Sequence, residues 1–147
     1  MNGCLAGPPR AKGSRWEKGG NAMNYGTEKQ AIRKAILDYY HEGHVKSDPE
    51  LYKHILHPEW KFFLLDQGQL KIVDREEYFS WYNPQDANSE LEWETEFYSI
   101  NVTENIGAVK LRLECQKVRY IDYFNMMKLN GRWWIVHKMS HGVQKSE

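Results

Sequence analysis

The dipeptide Asn130-Gly131 separates two apolar stretches rich in β-branched and aromatic residues, 118–129 and 132–139. A two-residue turn of type I′ needs positive φ at both central positions, and Asn-Gly meets this need at little cost. The sequence therefore predicts an antiparallel hairpin. Because the turn type fixes the pairing register, it also predicts which residues of the two strands lie opposite each other.

The first strand of this hairpin is apolar on both faces. Between residues 120 and 127 the main polar interruptions are Asp122 and Asn125. A strand of this kind needs cover on both sides. Helices can cover one side, and we expect a second copy of the chain to cover the other. The pattern therefore predicts a homodimer that forms through the sheet face.

A short hairpin and two further strands are predicted upstream. Residues 60–65 are aromatic and aliphatic, and a turn leads from them to a short partner strand at 70–73. In the stretch 90–102 the apolar residues fall first on odd and then on even positions, which predicts a β-bulge near Phe97-Tyr98. Residues 109–115 alternate between apolar and polar side chains, as a half-buried strand does.

Helical patterns come before most of these strands. Thr27 and Gln30 form a capping box that opens the first helix, and Gly43 is expected to end it. Ser47-Asp48-Pro49 begins a second helix, with a cap residue followed by proline in the first turn. Asp74 caps a third helix. Helices followed by a long sheet predict an α+β fold.

Charge and cysteine content argue against several classes of protein. Lys and Arg together number 20, as do Asp and Glu, so no net field attracts nucleic acid or an anionic membrane. No apolar run approaches the roughly 20 residues of a membrane span. Cys4 and Cys115 form no disulfide framework, and Cys115 is expected to be a buried reduced thiol. Residues 1–20 lack the hydrophobic core of a signal peptide, which favours a cytoplasmic location.

Residues 1–24 differ in composition from the rest of the chain. They are rich in glycine and proline, carry scattered basic residues and show no periodicity. Such a stretch buries little apolar surface. We expect a disordered leader or an extension left by cloning at 1–24, followed by a single domain at 25–147.

Five short motifs stand in order along the chain. They are Tyr39-Tyr40-His41-Glu42-Gly43, Ser47-Asp48, Leu56-His57-Pro58-Glu59, Tyr120-Ile121-Asp122-Tyr123 and Gly131-Arg132-Trp133-Trp134-Ile135-Val136. Together they resemble the putative lumazine-binding group of the nuclear transport factor 2-like superfamily, which is related to SnoaL-like cyclases and ketosteroid isomerases. The resemblance spans residues 25–140. It implies a cone-shaped α+β fold, a cystatin-like roll in which three N-terminal helices pack on a strongly curved antiparallel sheet around a pocket.

The resemblance to ketosteroid isomerases also implies candidate site positions. In those enzymes a tyrosine of the first helix and a protonated aspartate form an oxyanion hole, and a second aspartate moves the proton. The tyrosine position falls on Tyr40 and the protonated acid on Asn125. The proton-moving aspartate falls on or next to Leu64, and Asp66 is displaced into the turn. Without a base there the reaction has no proton acceptor, so we do not expect ketosteroid isomerisation.

The expected ligand-binding residues combine aromatic contacts with one or two hydrogen-bonding groups, as small-molecule sites usually do. They are Tyr40, Trp60, Tyr123, Asn125 and His137. Asn125 is the most informative, because a buried amide without a partner costs about 1–3 kcal/mol. Candidates for catalysis are His137, Asp122 and Tyr40, with His137 or Asp122 moving a proton and Tyr40 polarising a carbonyl.

Two other patterns are interpreted as structural. Histidines recur in the pairs His41/His44, His54/His57 and His137/His141. No cysteine or clustered carboxylate completes a set of ligands around any of them, so neither a metal nor another cofactor is predicted. Alternate residues from Glu90 to Glu96 are glutamates, which we expect to pair with Lys110 and Arg112 on the next strand as a solvated or dimer-rim ladder.

These observations leave three functions open. The first is a homodimeric, cytoplasmic domain that binds a small, cyclic organic molecule. The second is a SnoaL-like cyclase, dehydratase or isomerase acting on a cyclic organic substrate. The third is a non-catalytic assembly module with a filled pocket and an exposed apolar sheet face. Nucleic acid and membrane partners are not expected.

Overall fold

A long helix comes first in the computed structural model, which describes residues 24–145. It runs as α1 (Tyr25–Ala35), a π-helical segment (Ile36–His41) and α2 (Glu42–Lys46). The side chain of Asn24 caps it by accepting a 3.1 Å hydrogen bond from the N–H of Thr27. The predicted cap at Thr27 is therefore wrong, because Thr27 already lies in the first turn. The expectation for residues 1–24 concerns a segment that lies, apart from Asn24, outside the described residues.

Gly43 does not end this helix, contrary to the prediction. The helix continues to Lys46, and Ser47 terminates it in the left-handed conformation, at φ 51°. Gly43 is buried instead against the ring of Tyr52, where an added Cβ would lie 2.6 Å from Cδ1 and closer still to Cε1. Glycine is therefore needed here for the close approach of two helices rather than for a turn.

Two short α-helices and a 3₁₀ turn (Pro84–Asp86) complete the helical part. In α3 (Pro49–Tyr52) the Asp48 side chain accepts from the N–H of Glu50, and in α4 (Arg75–Phe79) Asp74 accepts from the N–H of Glu77. Both predicted N-termini are confirmed. Because α4 follows the first hairpin, the helices do not all precede the sheet. Within the described residues, no helix has the length and apolar character needed to cross a bilayer.

Six strands form one curved sheet in the order β2-β1-β6-β5-β4-β3. The strands are β1 (Leu56–Asp66), β2 (Gln69–Asp74), β3 (Glu94–Thr103), β4 (Ile106–Glu114), β5 (Val118–Leu129) and β6 (Arg132–Gln144). Neighbouring strands are antiparallel except β1 and β6, which are parallel. The expectation of an entirely antiparallel sheet is therefore wrong at this pair, because the β1–β2 hairpin adds to the free edge of β6.

The hairpin turn and one bulge are where the sequence places them. Asn130 and Gly131 have φ values of 52° and 82°, and β3 carries an extra residue between Phe97 and Ser99. A second bulge was not predicted. In the β5–β6 pair, Asn125 lies opposite His137 but Met126 lies opposite Ile135, so β6 has an extra residue at this point.

The sheet has an inner face that packs on the helices and an outer face that does not. Inner-face side chains such as Leu111, Phe124 and Ile135 join Ile32 and Ile36 of the long helix in one core. The free thiol of Cys115 is buried, as predicted. Several large apolar side chains of the outer face are exposed, namely Leu65, Leu70, Ile72, Tyr98, Ile106, Tyr123 and Met139.

Candidate functional site

Four polar side chains meet in the core between the helices and the inner face, and we call them the inner polar cluster: Tyr40, Tyr78, Asp122 and Lys138. Tyr40 Oη donates a 3.0 Å hydrogen bond to Asp122 Oδ2, and Lys138 Nζ donates a 3.2 Å bond to Tyr78 Oη. Each of the four residues is at most 4% exposed. Buried charges of this kind are costly unless they are paired, which makes this cluster a candidate functional site.

Four different elements supply this cluster. Tyr40 comes from the π-helical segment, Tyr78 from α4, Asp122 from β5 and Lys138 from β6. A π-helical turn holds one more residue than an α-helical turn and is frequent at functional sites. Here it coincides with the helical residue that reaches the carboxylate of Asp122.

The ammonium group of Lys138 is surrounded by aromatic rings. Its Nζ lies 4.3 Å from the ring centre of Phe62, 4.9 Å from that of Tyr78 and 5.2 Å from that of Tyr40. Cation–π attraction offsets part of the cost of burying the charge. Burial lowers the pKa of Lys138, and attraction to Asp122 opposes that lowering.

Asp122 is incompletely satisfied. Its Oδ2 accepts from Tyr40, whereas its buried Oδ1 has no hydrogen-bond partner among the described residues. Burial raises the pKa of Tyr40 and Tyr78 well above 10, so both hydroxyls keep their protons and can donate. The cluster therefore offers a free acceptor at Asp122 next to hydroxyl and ammonium donors.

Half-buried aromatic side chains flank the cluster, and we call His44, Tyr82, Trp93 and Tyr120 the aromatic rim. The ring centre of His44 lies 5.5 Å from Trp93, 5.7 Å from Tyr82 and 6.4 Å from Tyr120. The rings of Trp93 and Tyr120 are nearly parallel, at 6° and 6.5 Å between centres. Tyr82 Oη donates to Tyr78 Oη at 3.2 Å, which links the rim to the cluster.

The imidazole of His44 is held among these rings. Its Nδ1 lies 3.2 Å from the carbonyl oxygen of Tyr40 and 2.9 Å from Oη of Tyr52. Burial, reinforced by the charge of Lys138, lowers the pKa of His44 to about 3, although the hydrogen bond to Tyr40 acts in the opposite direction. His44 is therefore a neutral imidazole near pH 7.

The structure brings together some of the residues singled out from the sequence. Tyr40 and Asp122, two of the three candidates for catalysis, are hydrogen-bonded to each other. Trp60 lies in the same core, 4.9 Å from the ring of Tyr78, and its buried Nε1–H has no hydrogen-bond partner among the described residues.

The other predicted site residues lie on the opposite side of the sheet. Tyr123 and Asn125 alternate with the buried residues of β5 and are exposed, and His137 lies opposite Asn125 on β6. All three line an outer-face cavity of about 220 Å³. The expected placement of these side chains in one pocket with Tyr40 is therefore wrong. Their role in binding a ligand stays a prediction, now attached to a different surface.

The bulge in β6 explains why Lys138 was missed. Trp133 and Ile135 face the core, and strict alternation would bring His137 inward next. The extra residue, Val136, shifts the phase so that Lys138 turns inward and His137 outward. Because every residue from Trp133 to Val136 is apolar, alternation in the sequence does not reveal the slip.

The glutamate ladder is partly as predicted. Arg112 of β4 pairs with Glu94 and Glu96 of β3 at 3.1 and 3.0 Å, and with Glu114 of its own strand at 2.5 Å. These pairs lie at the surface, where ion pairs contribute little stability. Across residues 24–145, no group of three or more His, Cys, Asp or Glu side chains could hold a metal ion.

Comparison with protein families gives one match to a family model. The family model described as "Putative lumazine-binding" matches residues 27–141. The chain belongs to this family. The match covers most of the long helix, nearly all of the sheet and every residue of the inner polar cluster. No curated protein matches the chain.

Solved structures of low sequence identity share the nuclear transport factor 2-like fold with this member of the lumazine-binding family. A protein of unknown function from Shewanella baltica OS155 has a TM-score of 0.74 and 20% identity, over 84% of this chain and 100% of that one. A protein of unknown function from Silicibacter pomeroyi DSS-3 has a TM-score of 0.73 and 16% identity, over 82% of this chain and 100% of that one. A putative Ca/calmodulin-dependent kinase II association domain from Exiguobacterium sibiricum 255-15 has a TM-score of 0.61 and 16% identity, over 85% of this chain and 100% of that one. These similarities establish the fold.

Proposed function

We propose that this domain binds a small, flat organic molecule in its interior, between the helices and the inner face of the sheet. The observation that supports this most directly is Asp122. It is 1% exposed, yet Oδ1 of its carboxyl group has no hydrogen-bond partner among residues 24–145. A ligand N–H or O–H would satisfy that oxygen, and Lys138 and Tyr40 would lie beside it.

The aromatic rim is the proposed entrance. His44, Tyr82, Trp93 and Tyr120 are only half-buried, whereas the inner polar cluster is closed. Because the inner polar cluster is buried, ligand entry requires the rim rings to rotate. Flat rings would then stack on aromatic faces, which favour offset or edge contacts with other rings.

Lumazine is the appropriate first probe. It is the compound in the family's name, and its flat bicyclic ring carries N–H donors beside carbonyl acceptors. A donor facing Asp122 and an acceptor facing Lys138 would match the inner polar cluster. The name of the family supports the choice of probe, and the geometry of the cluster supports the place of binding.

Asp122→Asn is expected to weaken lumazine binding by about tenfold. The amide still accepts from Tyr40, but the charge is lost, and hydrogen bonds to charged groups contribute about 1.5–3 kcal/mol. Isothermal titration calorimetry measures the affinity, and circular dichroism checks that the variant is folded. Tyr40→Phe, which keeps the ring and removes the hydroxyl, is the second variant.

Asn125→Ala distinguishes the interior site from the outer-face cavity. Asn125 is three residues away on the same strand but is exposed on the outer face, so its removal should leave the affinity unchanged. Loss of binding in Asn125→Ala with normal binding in Asp122→Asn would move the ligand to the outer-face cavity and refute an interior site.

The proposal includes a homodimer formed through the outer face. One row of residues crosses all six strands in register: Ile72, Phe63, Met139, Tyr123, Lys110 and Ser99. Four of these six are large and apolar. Six strands about 4.8 Å apart and about 30 Å long make a face of about 800 Å². A standard interface buries about that area on each partner, so a second copy is an occupant of the right size.

Tyr123→Glu and Met139→Glu are expected to raise the dimer dissociation constant at least about tenfold, because each buries a carboxylate at the centre of the interface. Native mass spectrometry and analytical ultracentrifugation report the subunit count. Leu37→Glu, at an exposed apolar position of the long helix, is the control and should leave the dimer intact. A monomeric wild-type protein at micromolar concentration would contradict the proposal.

Acid–base catalysis is the second candidate, as a cyclase, dehydratase or isomerase acting on a cyclic organic substrate. It is supported by the Tyr40–Asp122 hydrogen bond, which joins a protonated hydroxyl to a carboxylate in a buried site. The proposed location is the cytoplasm, where a buried free thiol such as Cys115 stays reduced.

A further inference from the structure

Lys138 has surroundings that differ from those of an ordinary surface lysine. Its side chain is 4% exposed and lies between β1, the π-helical segment, α4 and β5, which contribute Phe62, Tyr40, Tyr78 and Asp122. Lysine is almost never fully buried unless it is closely paired. Here the hydrogen bond from Nζ goes to a neutral phenol, while the Oδ2 atom of Asp122 is already bonded by Tyr40.

These contacts make the ammonium form of Lys138 easier to deprotonate than that of a surface lysine. The three aromatic rings replace the water that would stabilise the charge, and burial lowers the pKa of Lys138. The free-amine form, which this lowering makes more abundant, is a nucleophile towards carbonyl carbon. Nothing in the packing of the core requires an amine at this position, since Phe124 and Ile135 on the same face are apolar.

We propose that Lys138 forms an imine with an aldehyde or ketone group of the ligand that enters the interior. This inference rests on the proposed function, and it names the chemical class of the ligand. The carbonyl group would lie at the end of the ligand that reaches Lys138, beside Tyr78 and Asp122 of the inner polar cluster.

The reaction is balanced without an oxidant or a reductant. The lone pair of Lys138 Nζ attacks the carbonyl carbon, a C–N bond forms, and the carbonyl oxygen becomes a hydroxyl group. One amine proton makes that hydroxyl group, the second leaves with it as water, and the C=N bond forms. Tyr78 Oη lies 3.2 Å from Nζ and can pass its own proton to the departing oxygen as it takes one from nitrogen.

Lys71 provides an internal comparison. Its Nζ lies 5.8 Å from the ring centre of Trp81, so it too has an aromatic neighbour. Its side chain is 42% exposed and pairs with Glu77 of α4, so it lies neither in the core nor in the proposed dimer interface. Reactivity that arose from aromatic contact alone would appear at both lysines, whereas reactivity that arises from enclosure appears only at Lys138.

The test is reductive trapping at pH 7 with benzaldehyde and sodium cyanoborohydride, followed by peptide mapping by mass spectrometry. We expect several-fold more adduct on Lys138 than on Lys71, because burial lowers the pKa of Lys138 and so raises its fraction of free amine. Excess lumazine should suppress the adduct on Lys138 and leave that on Lys71 unchanged. The measurement uses the wild-type protein, so it does not depend on a variant that folds.

The outcomes separate this inference from the function on which it rests. Equal adduct on the two lysines with intact lumazine binding would overturn the imine and leave the interior site standing. Equal adduct without lumazine binding would overturn both. Selective adduct on Lys138 supports the imine whether or not lumazine binds, and in the latter case restricts the ligand to carbonyl compounds.

Discussion

Gly43→Ala is expected to lower the free energy of unfolding by about 1–2 kcal/mol, although alanine is the better helix former. Within a helix the change from glycine to alanine is worth about 1 kcal/mol in favour of the variant. The new Cβ, however, would lie 2.6 Å from Cδ1 and 3.0 Å from Cζ of Tyr52, and closer still to Cε1. Overpacking of this kind costs about 1–3 kcal/mol and sometimes more.

The ring of Tyr52 has little room to move away. It is fully buried, and its centre lies 5.1 Å from Tyr82, 5.4 Å from Tyr78 and 6.0 Å from Tyr40. The strain therefore spreads into the inner polar cluster, and the loss of stability exceeds the gain in helix propensity. Urea denaturation followed by circular dichroism measures the difference.

Two further variants make this prediction specific. Gly26→Ala, at an exposed position in the first turn of α1, should leave stability unchanged or raise it by up to about 1 kcal/mol, because no buried ring lies beside it. Tyr52→Leu should relieve part of the cost of Gly43→Ala, which a double-mutant cycle detects as a favourable coupling. If Gly43→Ala is as stable as the wild type, the close approach of the long helix to Tyr52 is not as the structure describes.

The same glycine shows one limit of prediction from sequence. Glycine after a run of helical residues usually marks a helix end, because it adopts the left-handed conformation at no steric cost. Gly43 instead continues the helix, and Ser47 takes the left-handed conformation four residues later. The two uses of glycine look alike in the sequence, and only the position of Tyr52 in space separates them.

Most predictions that depended on local chemistry were confirmed; the cap at Thr27 and the helix end at Gly43 were wrong. Asp48 and Asp74 cap their helices, Asn130-Gly131 forms the hairpin turn, and β3 bulges at Tyr98. Each of these features is decided by a few neighbouring residues, through a side-chain hydrogen bond, a permitted φ or a break in alternation. The parallel pairing of β1 with β6 joins segments more than 70 residues apart, and no local pattern encodes it.

The candidate site was predicted only in part, because its residues are also brought together by the fold rather than by local sequence. Counting along the chain matched Tyr40 to a partner at Asn125, whereas the structure pairs it with Asp122, which lies on the other face of the same strand. Side chains alternate along a strand, so an error of three residues reverses the face. The unpredicted bulge at Val136 likewise exchanges His137 for Lys138. The types of residue in the sequence indicated a polar site. Which of them meet depends on which residues of β5 and β6 face the core, and this alternation was not predicted correctly.

Acidification is expected to destabilise the wild-type protein through His44, by about 3 kcal/mol between pH 6.5 and pH 4. Burial among aromatic rings and the nearby charge of Lys138 lower the pKa of His44 to about 3 in the folded state. In the unfolded chain a histidine has a pKa near 6.5. Above that pH both states are neutral at His44. Below pH 6.5 His44 binds a proton in the unfolded state but not in the folded state. The free energy of unfolding therefore falls with pH until about pH 3.

His44→Gln removes this titration and should flatten the dependence of stability on pH in the same interval. Hydrogen bonds to Lys128 and Lys145 are the main causes that lower the pKa values of Glu28 and Glu114, respectively. Protonation of these two carboxylates also destabilises the fold in acid, but it does so equally in the wild type and in His44→Gln. The difference between the two slopes therefore isolates His44, whatever the stability of the variant at pH 7.

His141→Gln provides the control, because His141 is exposed on β6 and its removal should leave the wild-type slope in place. Chemical denaturation at half-unit steps from pH 7 to pH 4 gives the slopes. Equal slopes for the wild type and His44→Gln would mean that His44 accepts a proton in the folded state. In that case the aromatic rim would be open to water near the inner polar cluster, because a charged imidazole beside Lys138 is tolerated only where solvent or a counter-charge reaches it.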